Sequence, residues 1–267
     1  MKPIATIPKA RLQRVKGVFT DVDDTLTTHG RLTARAYVAI DKLLAAGIKV
    51  VPVTGGPAGW CDHIARTWGV DAVVGEGGAF YFALDRSNGK LIRRFWFDPQ
   101  THAERRQMME AARDSVLAEL PGITLSPDQP YRELDLAIEL HNSTGAPLPA
   151  DMITDIKAML RRRGMNSRVS SIHINAYFGD YDKLAMARRM ASDLWSIDLE
   201  LERDRWLFIG DSANDAGMFE FFPISVGVAN VRAVLDQLPV PPRYVTRGEC
   251  GAGFAEMARL QIGRAHV

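Results

Sequence analysis

Two aspartates at the end of a short apolar run are the residues of this sequence best placed to do chemistry. The run VKGVFT at 15–20 leads directly into DVDDT, which begins at Asp21. Residues two apart on an extended segment point the same way, so Asp21 and Asp23 should share one side of the chain. Because two carboxylates this close repel each other, one must hold a proton or a cation must be present. Either state suits catalysis; the alternative is a polar turn whose Asp and Thr side chains only cap a helix.

A second acidic segment follows another apolar run. WLFIGDSANDAGMF carries Asp211 and Asp215 directly after its hydrophobic residues. Hard oxygen ligands at such a position suit Mg²⁺, which keeps several waters and uses few carboxylates when a phosphate shares its coordination shell. Asp215 would also complement the dipole of a helix that starts here, a role that metal binding does not exclude.

Two further residues have the chemistry of a phosphate site. Thr54 ends the apolar run IKVVPV, and its hydroxyl with the amides of Gly55 and Gly56 is suited to binding the oxygens of an anion. Lys183 lies where a helix should begin, and its charge would offset that of a transferring phosphoryl group. On spacing alone, such a residue is more often a helix cap or a surface residue than a functional one.

Strands and helices alternate in the segments that carry these residues. Apolar runs at 15–20, 48–53 and 71–75 alternate with helical patterns at 34–46 and up to about Trp68. The same alternation resumes after about residue 181, with a strand over WLFIG, another over PISVGV and a helix near 231–238. Such βαβ units build a parallel sheet covered by helices, and ligands bind at the carboxyl edge of its strands. We therefore expect an α/β fold with a doubly wound parallel sheet.

The pattern between the two halves is different. AFYFALD and KLIRRFWFD flank an Asn-Gly pair and predict a hairpin. Helices near 101–120 and 150–163, a strand at 133–140 and a strand at 167–178 complete an α+β module. We expect residues 1–82 and 179–267 to form the core domain and residues 83–178 to form an inserted cap domain.

Taken together, DVDDT, the strand-terminal Thr54, Lys183 and GDSAND resemble the four-part signature of haloacid-dehalogenase-type phosphatases, in the right order over about residues 15–255. The insertion resembles the cap of subclass IIB (cap type C2B), which contains sucrose-phosphate, trehalose-phosphate and mannosyl-3-phosphoglycerate phosphatases. The resemblance implies that Asp21 attacks phosphorus to form an aspartyl-phosphate. It also implies that Asp23 protonates the leaving oxygen and then deprotonates the hydrolytic water.

The resemblance implies the remaining roles as well. Thr54 and Lys183 would act at the catalytic site with the two aspartates, and Gly55, Gly56 and Asn214 would help to bind the substrate. The magnesium ligands would come from Asp21, the main-chain carbonyl of Asp23, Asp211 and Asp215.

The chain departs from the family pattern in two places. Gly56 stands where many relatives with this cap have an arginine, and GEGGAF lacks the asparagine of the family's ENGA segment. An arginine of the cap would replace the missing charge, or the substrate would need less positive charge there. These departures affect the substrate more than the reaction.

The cap should recognise the leaving group of the substrate. In the predicted strand at 167–178, His173, Asn175 and Tyr177 alternate with Ile172, Ile174 and Ala176, so the three polar residues share one face. That face suits a sugar; the alternative is the solvent-exposed side of an ordinary sheet. We expect His173 and Asn175 to bind the substrate.

Composition excludes other classes. The formal net charge of +1 gives no general reason to bind nucleic acid or an anionic membrane, and no apolar run approaches the ~20 residues that span a bilayer. Cys61 and Cys250 form no metal-binding or disulfide pattern. The basic start does not read as a signal peptide, so the expected location is the cytoplasm. The oligomeric state stays open.

The expected function is a magnesium-dependent phosphatase acting on a small phosphorylated metabolite, a sugar phosphate or a similar small polyol phosphate. A phosphohexomutase of the same fold would use the same aspartyl-phosphate and return the phosphoryl group to the sugar. A non-catalytic, phosphate-sensing or scaffold protein is the alternative from another class, and the presence of both Asp21 and Asp23 argues against it.

Overall fold

The computed structural model describes residues 1–169 and 173–265. Its strands are β1 (Lys2–Pro3), β2 (Gly17–Thr20), β3 (Lys49–Pro52), β4 (Val73–Gly75), β5 (Phe80–Asp85), β6 (Lys90–Phe95), β7 (Asp135–Glu139), β8 (Asn166–Val169), β9 (His173–Tyr177), β10 (Trp206–Gly210), β11 (Ile224–Gly227) and β12 (Tyr244–Val245).

The α-helices are α1 (Lys9–Leu12), α2 (Ala34–Ala45), α3 (Ala58–Thr67), α4 (Pro99–Glu119), α5 (Ala150–Arg162), α6 (Lys183–Trp195), α7 (Leu199–Glu202), α8 (Ala216–Phe221) and α9 (Cys250–Ala265). Short 3₁₀ segments at Ile4–Thr6, Glu76–Gly78, Gln129–Tyr131, Arg203–Arg205, Ala213–Asp215 and Ala229–Gln237 complete the elements. Side chains cap two of the longer helices: Thr33 accepts from the amide of Ala36 at the start of α2, and Asp182 accepts from the amide of Ala185 at the start of α6.

The central sheet is parallel and has the strand order β1-β12-β11-β10-β2-β3. Chain order runs outward from β2 on one side to β3 and on the other side to β10, β11 and β12, so the sheet is doubly wound as predicted. The reversal of direction at β2 and β10 creates the crevice in which such sheets bind ligands.

Both faces of this sheet are buried. Alternate residues of β2 and β10 point to opposite sides: Val18 and Leu207 enter one hydrophobic cluster, whereas Phe19 and Phe208 enter the other. Helices α2, α3 and α9 supply the first cluster and α6 and α8 the second. All four of these strand residues are completely buried, which is why the strands read as continuous apolar runs.

The hairpin predicted after residue 79 is present. Strand β5 pairs antiparallel with β4 and β6, and a bridge from Val53 to Val74 connects this small sheet to the end of β3. Phe80 and Phe82 of the hairpin are buried in the core cluster below α3. The hairpin therefore packs with the central sheet.

A third sheet forms a separate module with α4 and α5. Its order is β7-β9-β8 with antiparallel pairing. One face packs on the two helices through a hydrophobic cluster of its own that includes Leu136, Ile138, Ile156, Ile174 and Ala176. We call residues 99–178 the cap module.

Two predictions of secondary structure were wrong. The single strand expected at 167–178 is two antiparallel strands, β8 and β9, in which Arg168 is paired with Asn175. The sequence between them has no Gly, Pro or Asn to indicate a turn, and Ser170, Ser171 and Ile172 lie outside the described residues. The segment expected as a helix near 231–238 is the 3₁₀ segment Ala229–Gln237, and α9 was not predicted.

Across residues 1–169 and 173–265, no helix is both long and apolar enough to cross a membrane.

Candidate active site

Three neighbouring strands place their following residues at one edge of the central sheet. Thr20, the last residue of β2, is in register with Ile209 of β10 and Pro52 of β3. The chain thus leaves the sheet at the same level toward Asp21, Thr54 and Asp211. The amide of Asp21 still donates to the carbonyl of Ile209 at 2.8 Å, which continues the strand pairing into the acidic loop.

Lys183 joins two of these acidic segments. Its Nζ donates to Asp21 Oδ1 at 2.6 Å and to Asp215 Oδ1 at 2.7 Å, and all three side chains are buried. Burial by itself lowers the pKa of Lys183, but the two carboxylates raise it above its usual value. Burial raises the pKa of Asp21 well above its usual range, although Lys183 opposes that rise. The lysine therefore stays charged and compensates buried negative charge.

Three carboxylates converge beside that lysine. Oxygens of Asp21, Asp211 and Asp215 lie within 4.8 Å of one another. Burial and then the charge of Asp215 raise the pKa of Asp211. Carboxylate oxygens in such a group are the donors that Mg²⁺ prefers, and a divalent ion would relieve their repulsion. The donor set fits a magnesium ion.

Hydrogen bonds orient the carboxylates of this group. Asp215 Oδ2 accepts from the amides of Asp211 at 3.1 Å and Ser212 at 3.3 Å. Asp211 accepts from the Thr25 hydroxyl at 3.3 Å and from the Asn230 amide at 3.1 Å. Gly210 lets Asp215 approach, because a Cβ on this glycine would lie 2.3 Å from Asp215 Oδ2.

Asp23 lies apart from these three and faces the opening. Its side chain is exposed, and its Oδ2 accepts from the Thr54 hydroxyl at 3.5 Å. The surrounding protein raises the pKa of Asp23 through desolvation, and the charges of Lys183 and His173 lower it. A carboxyl group with a raised pKa at an accessible position suits proton transfer.

The segment after β3 forms a small loop that is held by its own hydrogen bonds. The Thr54 hydroxyl accepts from the amide of Gly56 at 2.8 Å. The main chain of the neighbouring turn supports this loop, because the amide of Glu76 donates to the Gly56 carbonyl and that of Gly77 donates to the Thr54 carbonyl, both at 3.0 Å.

The polar face predicted in the cap module is present and is covered. Asn175 and Tyr177 of β9 lie on the face opposite the buried Ile174 and Ala176, together with His173. His173 Nε2 lies 3.3 Å from Glu139 Oε1 and the residue is only 8% exposed. This face is therefore not the solvent side of the sheet.

Arg132 connects the cap module to the loop after β3. Its Nη1 donates to the Gly55 carbonyl at 3.0 Å and to Asp135 Oδ2 at 3.1 Å, while Nε and Nη2 donate to the two oxygens of Asp128 at 2.8 Å each. Asn175 donates to the same Asp135 oxygen at 2.9 Å. Sequence reasoning missed Arg132 and Asp128, which belong to no recognised motif.

Glu76 makes the second connection. Its carboxylate accepts from the amide of Ala58 at 3.0 Å, at the start of α3, and from the amides of Glu133 at 2.9 Å and Leu134 at 2.7 Å in the cap module. Its φ of +44° is unusual for a residue with a side chain. Burial raises the pKa of Glu76 to about 8. The sequence offered one signal here, an acid inside the small-residue segment GEGGAF.

One expected site residue is not drawn into these contacts. Asn214 is exposed in the turn before α8, and within the described ranges its side chain makes no hydrogen bond. The other predicted site residues lie at the sheet edge, in the loop after β3 or on the polar face of the cap module.

The family model for sucrose-6F-phosphate phosphohydrolase matches residues 98–258, more than half of the chain. The chain belongs to this family. The predicted resemblance to haloacid-dehalogenase-type hydrolases of subclass IIB is confirmed, and the chain is a phosphatase of small phosphate substrates.

Individual relatives are distant but similar over their full length. The phosphoglycolate phosphatase of Methanospirillum hungatei is 27% identical over 257 residues, which cover 92% of this chain and 96% of the relative. The sucrose-phosphatase of Synechocystis sp. PCC6803, solved with sucrose and phosphate, has a TM-score of 0.63 at 14% identity, covering 92% of this chain and 97% of that one. Thermoplasma acidophilum 0175 has a TM-score of 0.66 at 17% identity, covering 93% and 99%. At these identities, the solved structures show the shared fold.

Proposed function

We propose that this family member is a magnesium-dependent phosphomonoesterase that hydrolyses a sugar phosphate, or a similar small polyol phosphate, through an aspartyl-phosphate on Asp21. The observation that carries the proposal is the buried hydrogen-bonded group of Asp21, Lys183 and Asp215 at the carboxyl edge of the sheet, with the exposed Asp23 two residues from Asp21.

In the first step, a carboxylate oxygen of Asp21 attacks phosphorus and the bond from phosphorus to the leaving oxygen breaks. Asp23 donates its proton to that oxygen, so a neutral alcohol departs. In the second step, Asp23, now ionised, removes a proton from water, and the water oxygen attacks the phosphorus of the aspartyl-phosphate. Free phosphate leaves and Asp21 is regenerated.

The phosphoryl group is held by three kinds of donor. The Lys183 ammonium, which already contacts Asp21, balances the negative charge of the phosphoryl group. Next to Asp23, Thr54 offers a hydroxyl and Gly55 offers a main-chain amide, and the Gly56 amide supports this site by donating to the Thr54 hydroxyl. We assign Asn214 to the same site, where its exposed amide is available to a substrate.

Asp21, Asp211 and Asp215, together with the Asp23 carbonyl, would hold magnesium. When bound, the ion supplies charge neutralisation and orientation for phosphoryl transfer. The convergence of three carboxylates supports this assignment. Asp215 is completely buried and in contact with the Lys183 ammonium, whereas Asp211 is partly exposed. We therefore expect Asp215 to contribute more through its charge than through direct ligation.

The cap is proposed to select the leaving group with His173 and Asn175. The division into a core of residues 1–82 and 179–267 and a cap of residues 83–178 stays a prediction. Phe82 and Phe95 of the β5–β6 hairpin pack in or against the core cluster. This packing supports a boundary between core and cap that follows the hairpin. A cytoplasmic location also stays a prediction.

Phosphate release from a broad panel of phosphomonoesters, with and without Mg²⁺, tests the proposal. Wild-type protein should release phosphate only with the metal, and Asp21→Asn should lose the activity by a factor of at least about 10³. Asp41→Asn, which changes an exposed aspartate of α2 in the same way, is the matched control and should keep the activity.

Equal rates for wild type and Asp21→Asn, or no hydrolysis of any ester, would refute the proposal. Formation of an isomeric sugar phosphate in place of free phosphate would instead identify a phosphomutase.

A further inference from the structure

Asp135 has one oxygen that lacks a donor. Its Oδ2 accepts from Arg132 and Asn175, whereas its Oδ1 is buried and accepts no hydrogen bond from any described residue. The residue as a whole is 3% exposed. Buried polar atoms in folded proteins are almost always paired, and an unpaired carboxylate oxygen is especially costly. This oxygen is therefore an acceptor that the described residues leave unused.

The positive charge beside Asp135 is already used. The Arg132 guanidinium is 2% exposed and is enclosed by the carboxylates of Asp128 and Asp135 and by a main-chain carbonyl. Arg168, the other arginine on this face, donates to two main-chain carbonyls. The Arg132 guanidinium is already paired with two carboxylates, so it cannot replace the arginine that is missing at Gly56 as a binder of anions.

This cluster borders the place where the leaving group must lie. Arg132 touches the Gly55 carbonyl, directly after Thr54. The Thr54 hydroxyl donates to Asp23 at 3.5 Å, and Arg132 joins the next residue, Gly55, to Asp135. Thr54, Gly55 and Arg132 therefore connect Asp23 to Asp135. Since Asp23 protonates the leaving oxygen in the proposed reaction, the rest of the leaving alcohol extends toward Asp135.

We propose that Asp135 determines specificity by accepting a hydrogen bond from a hydroxyl of the leaving alcohol, and that its carboxylate rejects leaving groups that carry a carboxylate. This rests on the phosphatase function proposed above. It places the substrate among phosphate esters of neutral polyols and sugars and excludes phosphate esters of hydroxy acids.

Two matched pairs of substrates test this. Glycerol 3-phosphate and 3-phosphoglycerate differ by a hydroxymethyl group against a carboxylate, and glucose 6-phosphate and 6-phosphogluconate make a second pair. For whichever pair the wild type hydrolyses, its kcat/KM should be at least about tenfold higher for the neutral member than for the acid member. A buried acceptor that is left without a donor weakens binding of the transition state by at least that factor. Asp135→Asn should reduce this preference by at least about tenfold, because the amide removes the negative charge.

Asp155→Asn removes one exposed carboxylate of α5 that makes no contact with the cluster. It is the charge-matched control and should keep the wild-type ratio within about twofold, as expected for a distant surface change. The ratio between two substrates is a readout that a purely structural role of Asp135 would leave unchanged.

Wild-type protein that hydrolyses the acid members as fast as the neutral ones would overturn the proposal while leaving the phosphatase function intact. The same holds if folded Asp135→Asn keeps the wild-type ratio. If Asp135→Asn does not fold, the ratio of wild-type kcat/KM values for the neutral and acid substrates still tests the proposal. Absence of hydrolysis of every ester in the wider panel would instead remove the proposed function and this proposal with it.

Discussion

Replacing Glu76 by glutamine should change how the stability of the protein depends on pH. Burial, with a smaller contribution from the charge of Asp135, raises the pKa of Glu76 to about 8, although the amides of Leu134 and Glu133 oppose the rise. The unfolded chain ionises this group near its usual value of about 4.3. Because the folded state holds the proton more tightly, its contribution to stability is complete below about pH 4.3 and is lost as the pH rises through 8.

The magnitude follows from the pKa. Each pKa unit corresponds to about 1.4 kcal/mol, so the two units between pH 6 and pH 8 make the free energy of unfolding fall by roughly 2–3 kcal/mol. Glutamine does not titrate and escapes this loss. It also presents an NH₂ group to one of the amides that Glu76 now satisfies, at a cost of about 1–3 kcal/mol that does not depend on pH.

Urea denaturation of wild type and Glu76→Gln at pH 6 and pH 9 measures both effects. The difference in free energy of unfolding between the two proteins should shift by roughly 2–3 kcal/mol in favour of the variant at the higher pH. Other titrating groups are common to both proteins and cancel. Glu220→Gln, an exposed change in α8, is the control and should show a constant difference. A constant difference for Glu76→Gln as well would refute the reasoning.

Three further outcomes are expected. Lys183→Met leaves two buried carboxylates without their cation. In urea denaturation at pH 7 it should lower the free energy of unfolding by about 3–5 kcal/mol, and it should abolish phosphate release. Unchanged stability would contradict the role of Lys183 as their counter-ion. Gly78→Ala puts a Cβ 2.1 Å from the Asp182 carbonyl oxygen at a position with a φ of +117°. At the control position Gly89, φ is +71° and a Cβ would have no atom within 4 Å. Gly78→Ala should therefore unfold at a lower temperature and release phosphate more slowly than Gly89→Ala, and equal effects would contradict the close approach. Mg²⁺ at about 100 times its Kd should stabilise the wild type against thermal unfolding by about 2.7 kcal/mol, and a chelator should reverse this. Asp211→Asn should need a far higher Mg²⁺ concentration for the same stabilisation. Identical titrations of the two proteins would exclude Asp211 as a ligand.

The sheet and the position of the catalytic edge could be predicted because simple rules govern them. Apolar runs of four to six residues separated by helical patterns require parallel strands, and parallel strands end at a common edge. Asp21, Thr54 and Asp211 each follow such a run directly, so their convergence needed no knowledge of side-chain packing.

The contacts between the cap module and the loop after β3 were beyond such rules. Arg132 and Glu76 act across 77 and 57 or 58 positions of the chain, and no spacing in the sequence relates them to Gly55 or Leu134. Only the packing of the cap module on the core brings them together. The alternation in β9 was informative about faces, yet it did not reveal that β8 is a separate strand, since both arms of a hairpin alternate in the same way.

The missed helix α9 has a different cause. Its first turn contains Gly251 and Gly253, which weaken any helical signal from the sequence. Both glycines lie against main chain: a Cβ would meet the Leu26 carbonyl at 2.8 Å from Gly251 and the Gly248 carbonyl at 2.4 Å from Gly253. Tertiary packing therefore requires residues that local propensity disfavours.

The return from the cap module to the core sets a limit on motion. Five residues separate Tyr177, the last residue of β9, from Lys183, and within them Tyr181 is 1% exposed with its ring 4.8 Å from that of Tyr177. Fully stretched, this strap reaches about 20 Å, and about 14 Å if Tyr181 keeps its place in the core. This length limits how far this end of the cap module can move from the core. Since the segment ends on Lys183, which contacts Asp21, the cap module is attached to the core next to the proposed nucleophile.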